Sequence, residues 1–216
     1  MGSAPDKMCV TADTVAFRFA PEVGVELLLI ERGNPPYKGQ WALPGGFVKL
    51  DEDLPDAARR ELKEETGAEP RVLVQAGTWG KPGRDPRGRT VTVAYLAVMD
   101  ADTTVEGGTD AAVARWHDLN ALPDLAFDHA DILRDTRSRL IDLCFRTHLA
   151  FAFLQEEFTI SDLEEFLSAL TDGEMRRGDP DSIVERARLV ESRTSAPEVT
   201  SMYRCAAGDY LCPLEG

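Results

Sequence analysis

Positive charge is the first thing this chain lacks. Its 216 residues hold 24 Lys plus Arg against 38 Asp plus Glu, a formal net charge of −14 with a sequence pI of about 4.6. From Leu125 to Gly216 there are 10 Arg and no Lys against 18 Asp plus Glu, a net of −8. A field of that sign repels nucleic acid and anionic membranes alike, so DNA is not expected as a partner. Cysteine and histidine are scarce too. Cys9, Cys144, Cys205 and Cys212 form no Cys-x-x-Cys pair, and buried or incidental thiols are the simplest reading; Cys205 and Cys212 can meet across a hairpin. His117, His129 and His148 are too far apart in sequence for a zinc site. No apolar run approaches the ~18 residues of a membrane span, and "MGSAPDKMCV" lacks the features of a secretory signal. A cytoplasmic protein with no membrane partner is expected.

What is present divides near residue 124. Up to that point β and helical signals alternate, which predicts an α/β domain over 1–124. "TVAFRF" and "VELLLIE" form a hairpin around "APEVG", and strands "RVLVQ" and "TVTVAYLAVM" flank the loop "TWGKPGRDPRGR". A helix starts near Leu54, with Asp53 as its cap and Pro55 in its first turn. Over 125–216 the pattern turns to helices. "HADILRDTRSRLIDLCF" is amphipathic, "TISDLEEFLSALTDG" carries a Ser161–Glu164 capping box with Gly173 past its end, and "DSIVERARLVESR" suggests a third helix. "EVTSMYRCAAGDYLCPL" closes the chain as a hairpin. Helices followed by a hairpin predict a small winged-helix-like α+β domain.

Acidic side chains crowd together in one short segment of the first part. In "RELKEETG", Glu61, Glu64 and Glu65 stand at i, i+3 and i+4 and share one helical face, where like charges cost roughly 0.2–0.5 kcal/mol per pair. Arg60 sits one turn before Glu64 and can brace it. Hard oxygen ligands on a rigid helix suit Mg²⁺ or Mn²⁺ together with substrate phosphates. Alone, three glutamates read best as a solvated acidic face.

They are not alone. From Gly46 the chain places Glu52, Arg60, Glu61, Leu62, Glu64, Glu65, Gly67 and Ala68 at the spacing of G-x5-E-x7-R-E-U-x-E-E-x-G-U, where U is apolar. This resembles the Nudix box at every specified position, and the preceding "WALPGG" is similar to the family's lead-in. The resemblance implies an α/β/α sandwich that cleaves nucleoside diphosphates linked to another group. It also implies that Glu61, Glu64 and Glu65 hold a divalent metal, with a Gly45 or Gly46 carbonyl as a further ligand, and that Glu52 and Arg60 stabilise the box. Glu64 or Glu65 can take the proton of the attacking water; in some relatives a distant glutamate does so, for which Glu106 and Asp110 are the candidates.

The loop "KPGRDPRGR" carries Lys81, Arg84, Arg87 and Arg89 against Asp85, the clearest positive concentration in the chain. A solvated hairpin loop is the bland reading. Arginine forks there also suit bidentate phosphate contacts to an anionic substrate. "RDPRGRTVTVAYLA" resembles ADP-ribose-type Nudix proteins. Trp41, Trp79 and Tyr95 can stack on adenine or lie in the core.

"LPDLAFDHADIL" followed by "FTISDLEEFLSAL" resembles Nudix-related transcriptional regulators, which join an ADP-ribose sensor to a DNA-binding winged helix. Their box is often degraded; this one is intact. Thr171 to Ala196 holds 5 Arg against 6 acidic residues, a poor basic footprint for reading DNA, although Arg176, Arg177, Arg186 and Arg188 are available. The expectation is therefore an Mg²⁺-dependent hydrolase of ADP-ribose or a related NAD-derived nucleoside diphosphate, giving AMP plus a phosphorylated sugar. Its C-terminal domain would serve homodimerisation or cover the active site. The regulator is the alternative, and a non-catalytic ADP-ribose-binding module comes third.

Overall fold

The computed structural model describes residues 7–108, 111–173, 180–187, 190–195, 200–204 and 210–214. Its centre is a mixed seven-stranded sheet. Strands β1 (Cys9–Ala20) and β2 (Gly24–Arg32) form the expected antiparallel hairpin, and β3 (Trp41–Ala42) pairs with β2. The short β4 (Gly45–Phe47) pairs with β1, setting Asp13 opposite Gly45. β5 (Val72–Trp79) lies antiparallel to β6 (Thr90–Val98), β6 runs parallel to β1, and β7 (Ala111–Asp118) pairs with β2.

Both faces of this sheet are covered, so its central strands read as continuous apolar runs whose alternation sorts side chains between two helices. On one face Ala12, Val93 and Tyr95 pack against Ala57 and Ala58 of α1 (Leu54–Thr66), and Ala16, Leu28, Ile30 and Ala97 surround Leu62. On the other, Val15, Phe17, Leu27, Leu29, Leu96 and Val98 meet Ile132, Leu133 and Leu140 of α2 (His129–Arg146). This is the helix–sheet–helix sandwich. Helix α1 has the expected Asp53 cap, with Pro55 in its first turn, and ends at Gly67 in the left-handed conformation, φ 73°.

A 3-10 helix (His148–Phe153) leads from α2 to β8 (Glu157–Thr159), α3 (Ile160–Leu170), α4 (Pro180–Arg186), β9 (Val190–Ser195) and β10 (Thr200–Arg204). The three strands form an antiparallel sheet in the order β8-β10-β9, so this segment mixes helices with a small sheet. Phe151, Phe158, Phe166 and Leu170 join the hydrophobic cluster beneath α2, so the sheet and the C-terminal segment share one core. Among the described residues no helix is long and apolar enough to cross a membrane.

Three local expectations need correction. The α3 cap is Thr159 with Asp162, not Ser161 with Glu164: strand β8 stays extended through Thr159, whose N–H donates to Asp162 at 2.7 Å. The expected helix "DSIVERARLVESR" stops at Arg186, because Val190–Ser195 finds a strand partner in β10. The closing hairpin is therefore β9–β10, beginning before "EVTSMYRCAAGDYLCPL"; Cys205 lies outside the described residues.

Candidate active site

Helix α1 is held to the glycine strand beside it by an ion network. Arg60 donates from Nε to Glu52 Oε2 at 2.8 Å and from Nη2 to Glu52 Oε1 at 2.5 Å and to the Phe47 carbonyl at 3.2 Å. Its Nη1 donates to Glu61 at 2.6 Å and to Glu64 at 3.1 Å. The Arg60 guanidinium pulls the Glu52 carboxyl down to about 2. Glu65 turns the other way and accepts the Gly45 N–H at 2.9 Å. Three carboxylates thus meet one guanidinium, while the fourth, Glu65, has only a backbone N–H for a partner. Burial pushes Glu65 up to about 8, helped by Glu61 and Asp13, and burial raises Glu61 as well.

These carboxylates suit a cation better than a proton. They are hard oxygen donors on a rigid helix, two of them desolvated, beside a glycine with no room for a side chain: a Cβ on Gly46 would lie 2.6 Å from the Glu61 carboxyl. As placed, among the described residues no three His, Cys, Asp or Glu side chains converge on one point. Glu61 and Glu64 are drawn to Arg60 and Glu65 to Gly45, so cation binding has to compete with those hydrogen bonds.

Across Gly45 and Gly46 from the acidic face lies a small cavity lined by Arg32, Arg84, Arg87, Asp13, Phe127 and His129. Arg87 has a side chain 42% exposed, is paired to Asp85, and sits over the rings of Phe47 and Phe127 at 4.8 and 5.7 Å. Arg32 lies over Phe127 at 4.8 Å and donates to the Pro36 carbonyl; burial and the nearby Arg87 lower its pKa. Phe127 itself has φ +56°, a backbone conformation that a bulky residue adopts only under local constraint.

The expected site residues separate into groups. Glu52, Arg60, Glu61, Glu64, Glu65 and Gly45 come together, as do Arg84 and Arg87. Arg84, however, is not on a solvent-facing turn. Its side chain is 4% exposed and forks onto Asp128 at 2.9 and 2.6 Å, because the loop folds back onto the start of α2. Arg89 bonds the Thr90 carbonyl, and Trp41 lies edge-on to His117 with ring centroids 4.4 Å apart; neither lines the cavity. Tyr95 is buried under α1, and Trp79 reaches Asp135. The loop with Glu106 docks on the end of α1, where Glu106 N–H meets the Thr66 carbonyl and Gly108 N–H the Glu65 carbonyl. Asp110 lies outside the described residues, as do Arg176, Arg177 and Arg188, whereas Arg186 donates to the Phe145 carbonyl. Asp13, Arg32 and Phe127 escaped the sequence reading. A carboxylate inside the apolar run "CVTADTVAFRFA" was the available signal for Asp13.

Comparison with known proteins follows the same division. The sequence model of the NUDIX domain matches residues 11–136. An ADP-ribose pyrophosphatase of Methanocaldococcus jannaschii is 46% identical over 111 residues, 51% of this chain and 64% of that protein. The ADPR responsive transcriptional repressor NtrR of Acinetobacter baylyi is 34% identical over 196 residues, 86% of this chain and 78% of that protein. The crystal structure of Shewanella oneidensis NrtR complexed with a 27mer DNA superposes with a TM-score of 0.74 at 29% identity, covering 95% of this chain and 99% of that one. With the domain match taking in the glycine strand, the box and the arginine-lined cavity together, the chain belongs to the Nudix family.

Proposed function

We propose that the protein is a divalent-metal-dependent hydrolase of the pyrophosphate in ADP-ribose or a related NAD-derived nucleoside diphosphate, giving AMP and a phosphorylated sugar. One observation carries this reading. Gly45 and Gly46 line the arginine cavity on one side and touch Glu65 and Glu61 on the other, so an anionic linkage in the cavity faces the carboxylates. Glu61, Glu64 and Glu65 would hold Mg²⁺ or Mn²⁺, with the Gly45 carbonyl as a further ligand. The ion's chemistry there is charge neutralisation of the phosphates and acidification of a water.

The chain's own residues would do the rest. Arg87, the more accessible fork, binds a phosphate oxygen, and Arg32 adds positive charge beside it. Glu52 and Arg60 keep the acidic face in place. Glu64, whose side chain is 49% exposed, would take a proton from water; its exposure supports that role. The test is turnover of ADP-ribose with and without Mg²⁺, with the products identified; absence of AMP under both conditions defeats the reading.

A second reading is an ADP-ribose-sensing regulator. Its support is the likeness along both segments, 1–124 and 125–216, to the repressor from Acinetobacter and the DNA-bound Shewanella protein. Against it stands the net charge of −8 from Leu125 onward. A gel shift on operator-like duplexes, with and without ADP-ribose, decides. Sequence-specific binding weakened by ADP-ribose would make the site a sensor, whereas the enzyme reading expects none and leaves 125–216 to hold a homodimer or cover the site.

A further inference from the structure

Leu125 and Ala126 lie beside β3 in parallel, just before the turn that opens α2. Trp41 and Leu125 form a β-bridge, and Ala126 N–H donates to the Trp41 carbonyl at 2.8 Å. One step on, the Leu43 N–H donates at 2.9 Å not to a carbonyl but to Nδ1 of His129, the first residue of α2. The imidazole is 5% exposed. Because Nδ1 accepts, the ring proton sits on Nε2, 3.9 Å from Asp13 Oδ2. Burial lowers the His129 pKa, which favours this neutral acceptor form.

Asp128 makes the arrangement more pointed. It occupies the N-cap of an 18-residue helix, yet its side chain makes no capping hydrogen bond. Both its oxygens go to Arg84, whose Nη2 also lies 3.7 Å from Asp13. On the far side of Leu43, the Pro44 carbonyl accepts the Thr14 N–H at 2.8 Å, Asp13 pairs in register with Gly45, and Gly45 N–H reaches Glu65. An unbroken run of contacts thus leads from the first turn of α2 to a carboxylate of the box.

We propose that His129, backed by the Arg84–Asp128 pair, is a positioning residue for that carboxylate. It sets the Leu43–Gly46 segment so that the Gly45 N–H meets Glu65. The inference rests on reading Glu61, Glu64 and Glu65 as the metal-holding face. It also ties the geometry of the site to α2, the helix that leads into the C-terminal segment. The metal's partners therefore depend on where that helix begins.

Two substitutions separate positioning from packing. His129→Asn keeps an acceptor near the place of Nδ1, whereas His129→Leu removes it at similar bulk. Two readouts apply to the full-length protein: Mn²⁺ affinity from water-proton relaxation, and hydrogen exchange of the Leu43 and Gly45 amides by NMR without metal. The Leu variant is expected to weaken Mn²⁺ binding about tenfold or more and to speed Gly45 exchange about tenfold. The Asn variant should stay within about threefold of wild type in both. Asp128→Asn, which keeps the shape and removes the charge, should shift both readouts less and in the same direction, and it serves if the Leu variant does not fold. Unchanged Gly45 exchange, or unchanged Mn²⁺ affinity in a wild type that binds the ion, overturns the proposal even if the melting temperature falls. If wild type neither binds Mn²⁺ nor hydrolyses ADP-ribose, the hydrolase reading fails, and Gly45 exchange still decides the positioning.

Discussion

Helices α1 and α2 flank the same sheet and both start at an aspartate, but the two aspartates work differently. Asp53 caps its own helix, accepting the Leu54 N–H at 2.7 Å. The Arg60–Glu52 brace of α1 spans only eight residues. Asp128 leaves its helix uncapped and pairs with Arg84, 44 residues earlier, while His129 reaches back 86 residues to Leu43. One helix carries its chemistry within a short stretch of chain. The other takes its starting point from distant parts of the fold and, in exchange, fixes the strand that faces the first. A self-contained helix can carry a motif, and a helix anchored at long range can hold that motif in register.

On this contrast, changes on the acidic face of α1 should alter chemistry directly, and changes at the start of α2 should alter stability and, through the Gly45 amide, the setting of that face. The largest effect is expected from Glu65→Gln or Glu64→Gln: loss of metal-dependent ADP-ribose hydrolysis by about a hundredfold or more, with the circular dichroism spectrum retained. Wild-type rates in Mg²⁺ for both variants would remove the metal assignment.

Arg84→Ala probes the other helix. It leaves Asp128 and Asp13 without their buried partner, so urea unfolding should show a loss of about 3–5 kcal/mol. A loss under about 1 kcal/mol, typical of an exposed pair, would return Arg84 to the solvent-facing loop expected from sequence. Its neighbour Arg87 sharpens the distinction. Arg87→Ala should raise KM for ADP-ribose about tenfold and leave kcat within about threefold, because its fork binds ground state and transition state alike. An unchanged KM would leave that fork without a substrate role.

Asp53→Ala should cost about 1 kcal/mol of stability, the ordinary worth of a cap, and leave the KM unchanged. A further effect concerns protons. Glu65 titrates at about 8 in the folded chain against 4.5 in the unfolded one, so the native state holds the extra proton between those values. Metal-free stability therefore falls as pH rises through that window. Mg²⁺ binding at pH 7 should release up to about one proton, seen as a buffer-dependent heat in calorimetry. Glu65→Gln should abolish the release; a release that survives it would place the titrating group elsewhere.

Where the reading from sequence succeeded, its signals were local. The β1–β2 hairpin, the capped α1 and the box follow from alternation, turn residues and fixed spacing within a few turns of chain. Where it failed, a distant partner had decided. Val190–Ser195 carries enough helical character to pass for the end of α4, and only β10 turns it into a strand. Ser161 and Glu164 satisfy a capping pattern, but β8 extends through Thr159 and leaves Asp162 as its partner.

The site divides in the same way. The spacing of Gly46, Glu52, Arg60, Glu61, Glu64 and Glu65 determined the acidic face, because a helix converts sequence spacing directly into a shared side. Nothing in the string of residues says that Arg84 is buried on Asp128, that Arg32 and Arg87 both lie over Phe127, or that His129 holds the Leu43 amide. Those pairings join residues tens of positions apart, and only packing of the sheet between its two helices brings them within hydrogen-bond range. The chain wrote the carboxylates, and the tertiary structure placed the guanidiniums opposite them.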